Sequence, residues 1–212
     1  MYLSTSDYVQ HKHPPGDAEA NRFYGAIDDS LAAIDRLGAT LVITADHGMH
    51  AKTDASGTLR AVFLQDVLDG WLGAGAARVV LPITDPYVLH HGALGGCAMV
   101  YLSAADQAAP LVERIQGIAG IDVAAARDEA CRRFELPPDR TGDVVVFSDG
   151  GTVIGTRPGD HDLSALDAPL RSHGGRAEQE VPLFANRIVS GGTRPRHNYD
   201  AFDVALNGCA VN

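Results

Sequence analysis

The chain has 212 residues, 45% of them hydrophobic and 21% charged, a balance that excludes a disordered tail and allows one large or two small cores. Its 27 acidic against 17 basic side chains leave a formal net charge of −10, which argues against nucleic acid as a partner. No apolar run approaches the ~18 residues of a membrane span, so no membrane partner is expected either. In chain order, the apolar start Met1-Tyr2-Leu3 predicts a strand over 1–6. Pro14-Pro15-Gly16-Asp17 makes a turn and a helix cap, after which Phe23, Ile27, Leu31, Ile34 and Leu37 form one apolar stripe of a helix over 18–37 that ends at Gly38. Leu41-Val42-Ile43-Thr44-Ala45, bounded by Gly38 and Gly48, reads as a short buried strand of a parallel sheet within 40–45. These three elements would make a βαβ unit with a right-handed crossover, bringing Asp7 and Asp46 to one sheet edge. Beyond the loop Asp54-Ala55-Ser56-Gly57, the positions Val62, Phe63, Val67, Leu68, Trp71 and Leu72 predict a helix with a core-facing stripe, Trp71 being core rather than a cofactor platform.

From Arg78 the pattern shortens to strand 78–83, strand 97–103, helix 105–118, helix 123–134 and strand 143–148, punctuated by Pro137-Pro138 and by glycines at 92, 95 and 96. This is read as a small inserted α/β cap domain over 78–165, between a first core part at 1–77 and a last core part at 166–212. Val181-Pro182-Leu183-Phe184-Ala185 is a late, Pro-bearing edge strand, and a final short helix is expected near 200–206. No internal repeat or low-complexity tract interrupts this order.

Three segments carry candidate chemistry. Asp46-His47 directly follows the apolar run 41–45, at the carboxyl edge of a strand, where open α/β sheets gather their ligand sites. Asp7 and His11 are spaced so that both reach one ion from a strand-to-helix turn. Arg171-Ser172-His173-Gly174-Gly175 offers a further nitrogen ligand in a tight loop, with glycines that permit close backbone approach. Carboxylate oxygens and imidazole nitrogens in mixed sets suit zinc, and the absence of cysteine from all three segments points to a catalytic rather than a structural site. The three cysteines, Cys97, Cys131 and Cys209, are an odd number without CxxC spacing, which speaks against a disulfide framework and fits reduced thiols in the cytoplasm.

In combination, Asp7-x-x-x-His11, Thr44-Ala45-Asp46-His47-Gly48-Met49 and Ser172-His173-Gly174-Gly175 resemble, in order, the motifs of the alkaline phosphatase superfamily, in its nucleotide pyrophosphatase/phosphodiesterase-like branch. Three longer strings narrow the likeness to the phosphonoacetate hydrolases: Tyr2 to His13, Leu81 to Gly95, and Leu170 to Gly175. The resemblance implies an α/β fold, an alkaline-phosphatase-like parallel sheet core flanked by helices, incomplete at its amino end, with an inserted cap. It also implies two zinc ions per complete site. One is held by Asp7, His11 and His173, which thereby also face the substrate; the second is held by Asp46 and His47, with an aspartate and a threonine expected upstream of Met1. That threonine is the implied nucleophile, so no catalytic residue is expected within the chain itself. The implied reaction is hydrolysis of the carbon–phosphorus bond of phosphonoacetate to acetate and phosphate. The partner is then a small anionic phosphonate, and a homodimer is one arrangement the resemblance allows. Alternatives are a phosphodiesterase or phosphomutase of the same superfamily, or a non-catalytic zinc-binding fragment.

Other candidates have simpler readings. His90 and His91 are adjacent, so their side chains diverge on a strand and a loop or packing role is expected. His13 and His50 lie near ligand candidates and could orient a carboxylate or be solvated. Asp160-His161-Asp162 is read as a turn cap and left out of the site. Gly150-Gly151 and Gly191-Gly192 lack any phosphate-loop pattern, and Arg132-Arg133 is a solvated helix face. Lys12 and Lys52 are the only lysines, and neither is assigned to a substrate carboxylate.

Overall fold

The structure, a computed structural model, describes residues 5–82, 92–164, 166, 168–189 and 197–209. Its elements in chain order are α1 (Thr5–Lys12), α2 (Ala18–Asp35), β1 (Val42–Thr44), β2 (His50–Ala51), β3 (Ala61–Phe63), α3 (Leu64–Leu72), β4 (Ala77–Val80) and β5 (Cys97–Leu102). There follow α4 (Ala108–Gln116), β6 (Ile121–Ala126), α5 (Arg127–Phe134), β7 (Val144–Ser148), β8 (Val153–Gly155), β9 (Arg171–Ser172), β10 (Leu183–Ala185) and α6 (Ala201–Asp203). The chain divides into two compact units: residues 1–12 with 49–178, and residues 13–48 with 179–212. These boundaries differ from breaks at 77/78 and 165/166, and the segment 78–165 lies wholly inside the first unit.

The first unit is built on an antiparallel sheet of order β4-β5-β7-β6. Because side chains alternate across a strand, β7 sends Val144 and Val146 to one face and Val145 and Phe147 to the other. On the first face they join Leu64, Leu68, Val100, Leu111 and Ile115 from α3, β5 and α4. On the second they meet Val123, Ala125 and Ala130 from β6 and α5. Both faces are covered, so every residue of β7 is buried and its sequence reads as a continuous apolar run. Trp71 is partly buried against the first cluster, with the Arg114 guanidinium 4.1 Å from its ring centre, consistent with a core role.

Two expected helices give up their first residues to strands. Val62 and Phe63 belong to β3, which pairs in parallel with β8 at Ala61↔Val153, Val62↔Ile154 and Phe63↔Gly155, and the helix begins only at Leu64. Residues 121–126 form β6 along the open side of β7, so the helix expected over 123–134 is confined to Arg127–Phe134. In both places sheet pairing overrides local helical preference. The β3–β8 pair is the one parallel pairing among the described residues, so the parallel core expected from the sequence is seen here only in part.

In the second unit, Asp17 accepts from the Glu19 amide at 2.7 Å and caps α2, as its sequence predicts. Ala20 is buried and Phe23, Ile27, Leu31 and Ile34 are half-buried along one stripe; the helix ends before Leu37, which is exposed. β1 pairs antiparallel with β10, at Val42↔Ala185 through Thr44↔Leu183, and is half-buried rather than fully enclosed. Asn186 ties this unit together, its amide oxygen accepting from Leu41 N at 2.8 Å and its amide nitrogen donating to Asp35 at 2.6 Å. The strand expected over 1–6 is not seen where residues are described: Thr5 and Ser6 already belong to α1. Residues 1–4, and with them the βαβ crossover, lie outside the described residues, as do His90, His91 and Gly191-Gly192. No helix among the described residues is long and apolar enough to cross a membrane.

Candidate metal centre

Asp7 and His11 lie one turn apart on α1, on the same helix face, so they project together. They are therefore presented by a helix rather than by the strand-to-helix turn that the sequence suggests. His11 is buried, and its Nδ1 lies 2.7 Å from the carbonyl oxygen of Arg171, 160 residues away. A carbonyl can only accept, so Nδ1 carries the hydrogen and Nε2 is the ring nitrogen with a lone pair that could serve a metal. Arg171 returns the contact, its Nε donating to the Gln10 carbonyl at 2.7 Å. This reciprocal clasp fixes α1 against β9, and the residue that follows β9 is His173.

His173 is held in a close-packed loop. Its carbonyl accepts from Gly96 N at 2.8 Å, and the Ser172 hydroxyl donates to the Leu94 carbonyl at 2.6 Å. A Cβ on Gly96 would lie 2.4 Å from Gly175 N and 2.7 Å from Gly175 Cα, so only glycine lets the two backbones approach this closely. Gly174 has φ +98°, the left-handed region that favours glycine. The result is that His173 Nε2 sits 3.6 Å, and His11 Nε2 3.4 Å, from the same Asp7 oxygen. The two imidazole ring centres are 5.3 Å apart and their planes are inclined at 53°.

These spacings fit zinc. Two atoms each ~2.0–2.2 Å from one ion, at the tetrahedral angle, lie about 3.3–3.6 Å from each other. The ligand atoms of Asp7, His11 and His173 all fall within 4.8 Å of one another, one carboxylate oxygen and two imidazole nitrogens. The set carries one negative charge when both rings are neutral, and it contains no cysteine, the usual ligand of structural zinc sites. Arg171 supplies the outer-shell acceptor that metal-bound histidines characteristically have.

Asp46 and His47 belong to the second unit, on the loop after β1. His47 Nε2 lies 3.9 Å from Asp46 Oδ1, and His47 Nδ1 donates to the Gly48 carbonyl at 3.0 Å, which gives Nε2 the lone pair that could serve a metal. His13 lies 3.3 Å from Asp17 in the same unit. His50 does orient a carboxylate, but it is that of Glu178, at 2.9 Å. Buried His161 donates to the Gly92 carbonyl at 2.7 Å and accepts from Thr156 N at 2.9 Å, while Asp162 accepts from Ser164; the segment 160–162 is structural. Arg171, Gly96 and Glu178 also shape the site. Of these, Glu178 sits in the charged run Arg176-Ala177-Glu178-Gln179-Glu180, which carries no sequence signal of burial.

A model of the type I phosphodiesterase / nucleotide pyrophosphatase family matches residues 1–176. The phosphonoacetate hydrolase of Penicillium oxalicum is 59% identical over 32 residues, 15% of this chain and 44% of that sequence. Phosphonoacetate hydrolase from Sinorhizobium meliloti 1021 in complex with phosphonoformate is 52% identical, with a TM-score of 0.90 over 96% of this chain and 50% of that one. Its complex with phosphonoacetate gives 0.89 at the same identity. Murine ectonucleotide pyrophosphatase / phosphodiesterase 5 shares the fold at a TM-score of 0.59 and 17% identity, over 89% of this chain and 47% of that one. The chain spans about half the length of the structures it matches. Its fold is α/β and alkaline-phosphatase-like, and the chain belongs to the type I phosphodiesterase / nucleotide pyrophosphatase family.

Proposed function

We propose that this chain carries the metal-binding part of a zinc-dependent hydrolase that cleaves the carbon–phosphorus bond of phosphonoacetate. The observation that carries this reading is the likeness, at 52% identity and a TM-score of 0.90, to a phosphonoacetate hydrolase whose structures hold phosphonoformate and phosphonoacetate. The convergence of Asp7, His11 and His173 supports it independently. In the overall reaction, water adds a hydroxyl to phosphorus and a hydrogen to the departing methylene carbon, so that phosphonoacetate yields phosphate and acetate. When bound, two zinc ions would neutralise the phosphonate and the charge that develops on it.

The chain's own part in this chemistry is to hold and orient. Asp7, His11 and His173 form one ligand set, and Asp46 and His47 contribute to a second. The Arg171 carbonyl fixes the His11 tautomer, and the Gly48 carbonyl does the same for His47. The chain's net charge of −10 would repel an anionic substrate, so attraction must come from the metal ions. The free thiols of Cys97, Cys131 and Cys209 support a reducing compartment such as the cytoplasm.

The test is phosphorus NMR of phosphonoacetate incubated with the zinc-loaded protein. Inorganic phosphate should form, cease with a chelator, return with zinc, and fail to form with Asp7→Asn. The family match to type I phosphodiesterases supports a second reading. Faster turnover of a phosphate diester than of phosphonoacetate would establish that one instead, and turnover of neither would overturn both.

A further inference from the structure

We infer that Glu178 is a positioning residue for His173, acting through the Gly174-Gly175 backbone. Glu178 is 1% exposed and Lys52 is fully buried at 0%. One carboxylate oxygen, Oε1, accepts from Lys52 Nζ and from His50 Nδ1, each at 2.9 Å. The other, Oε2, accepts from Gly175 N at 2.8 Å. Lys52 also donates to the Gly150 carbonyl at 3.0 Å, so the pair is anchored on a second segment.

A buried ion pair adds little net stability over apolar packing of the same volume. Its use here is geometric. His50 opens β2 and Lys52 directly follows it, and β2 pairs with β9 at His50↔Ser172 and Ala51↔Arg171. Glu178 therefore braces the far side of the loop that leaves β9, while Gly96 closes the near side by donating to the His173 carbonyl. His173 hangs between these two fixed points. Withdrawing Oε2 frees the Gly175 amide, the loop loses a restraint directly after His173, and the imidazole no longer holds its place 3.6 Å from Asp7.

The inference rests on the reading of His173 as a metal ligand, and the experiment separates the two. Zinc affinity of the protein is measured by competition with a chromophoric chelator for wild type, Glu178→Gln and Glu178→Asp, with Leu68→Ala as a core control. Glu178→Gln removes the charge, whereas Glu178→Asp keeps a charge near Lys52 but draws the carboxylate back from Gly175 N. Leu68 is buried in the same unit and leaves the loop untouched. Both Glu178 variants should bind zinc about tenfold more weakly. Their cobalt-substituted forms should show altered visible bands, and Leu68→Ala should show neither change although it lowers the melting temperature. Unchanged affinity and spectrum in whichever Glu178 variants fold would overturn the inference alone. An equal loss in Leu68→Ala would mean that general destabilisation, not positioning, is responsible. Failure of wild type to bind zinc would overturn the metal reading together with it.

Discussion

Replacing Gly96 with alanine tests the close approach on which the His173 loop depends. The new Cβ would start 2.4 Å from Gly175 N, 2.7 Å from Gly175 Cα and 3.1 Å from the Gly174 carbonyl carbon, all of them backbone atoms that cannot rotate away. Ordinary contact needs about 3.5 Å, so one backbone must retreat by about 1 Å. The Gly96 N to His173 O bond, now 2.8 Å, would open to about 3.8 Å, beyond hydrogen-bonding range. Overpacking of this kind costs about 1–3 kcal/mol, and the lost bond adds about 1 kcal/mol, so the substitution should destabilise by about 2–4 kcal/mol. Urea unfolding measures that change. The same displacement carries His173 from Asp7 and should weaken zinc binding by at least tenfold, measured at a temperature where the variant is folded. A Gly96→Ala protein within about 0.5 kcal/mol of wild type, binding zinc as tightly, would refute the argument that this contact sets the ligand geometry.

Lys52→Met should cost about 3–5 kcal/mol in urea unfolding, because it leaves the buried Glu178 carboxylate without its cation, and adding Glu178→Gln should recover a large part of the loss. His161→Phe should lose about 2–4 kcal/mol by orphaning the Thr156 amide and the Gly92 carbonyl, yet leave zinc affinity unchanged; a large affinity loss would give the segment 160–162 a role in the site. Burial pushes the Cys97 thiol up from 9.0 to about 12. Since the thiolate is the nucleophile, iodoacetamide at pH 8 should label Cys97 about a thousandfold more slowly in the folded protein than in urea, read by peptide mass spectrometry. The same shift means the folded protein keeps this proton where the unfolded chain releases it. Its contribution to stability is therefore full below pH 9 and declines as the pH rises towards 12, and Cys97→Ala should flatten that alkaline decline in the urea midpoint.

The candidate metal ligands stand out in the sequence because their chemistry is carried by residue identity: Asp7 and His11 four residues apart, and His173 beside two glycines, can be picked out without knowing what lies between them, although the sequence reads the helix that presents the first two as a strand-to-helix turn. What surrounds them does not stand out. The role of Arg171 lies in its backbone carbonyl, which every residue possesses, and only the fold shows that it meets His11. Glu178 belongs to a string of polar residues, and its burial depends on Lys52, which is distant in sequence. The strand at 121–126 is rich in alanine, a helix former, and becomes extended because β7 offers an unpaired edge. Val62 and Phe63 continue the apolar stripe of α3, so periodicity alone cannot distinguish the last strand residues from the first helical turn. By contrast, the cap of α2 at Asp17 and the strand that becomes β7 were readable, because each depends on local chemistry or on a short apolar run.

The clasp between α1 and β9 joins residues whose separation in sequence, 160 positions, spans nearly the whole first unit. A short helix such as α1 is marginal by itself, and none of its residues belongs to the apolar clusters that hold the central sheet. Its order should therefore depend on a contact distant in sequence, and α1 is expected to settle only after β9 has docked and the large loop between them has been closed. Loading with an ion at this seam would then couple to the final act of folding. A chelator should fray the ends of the unit while its interior sheet stays intact, so that metal content reports whether the last-formed part of the architecture is in place.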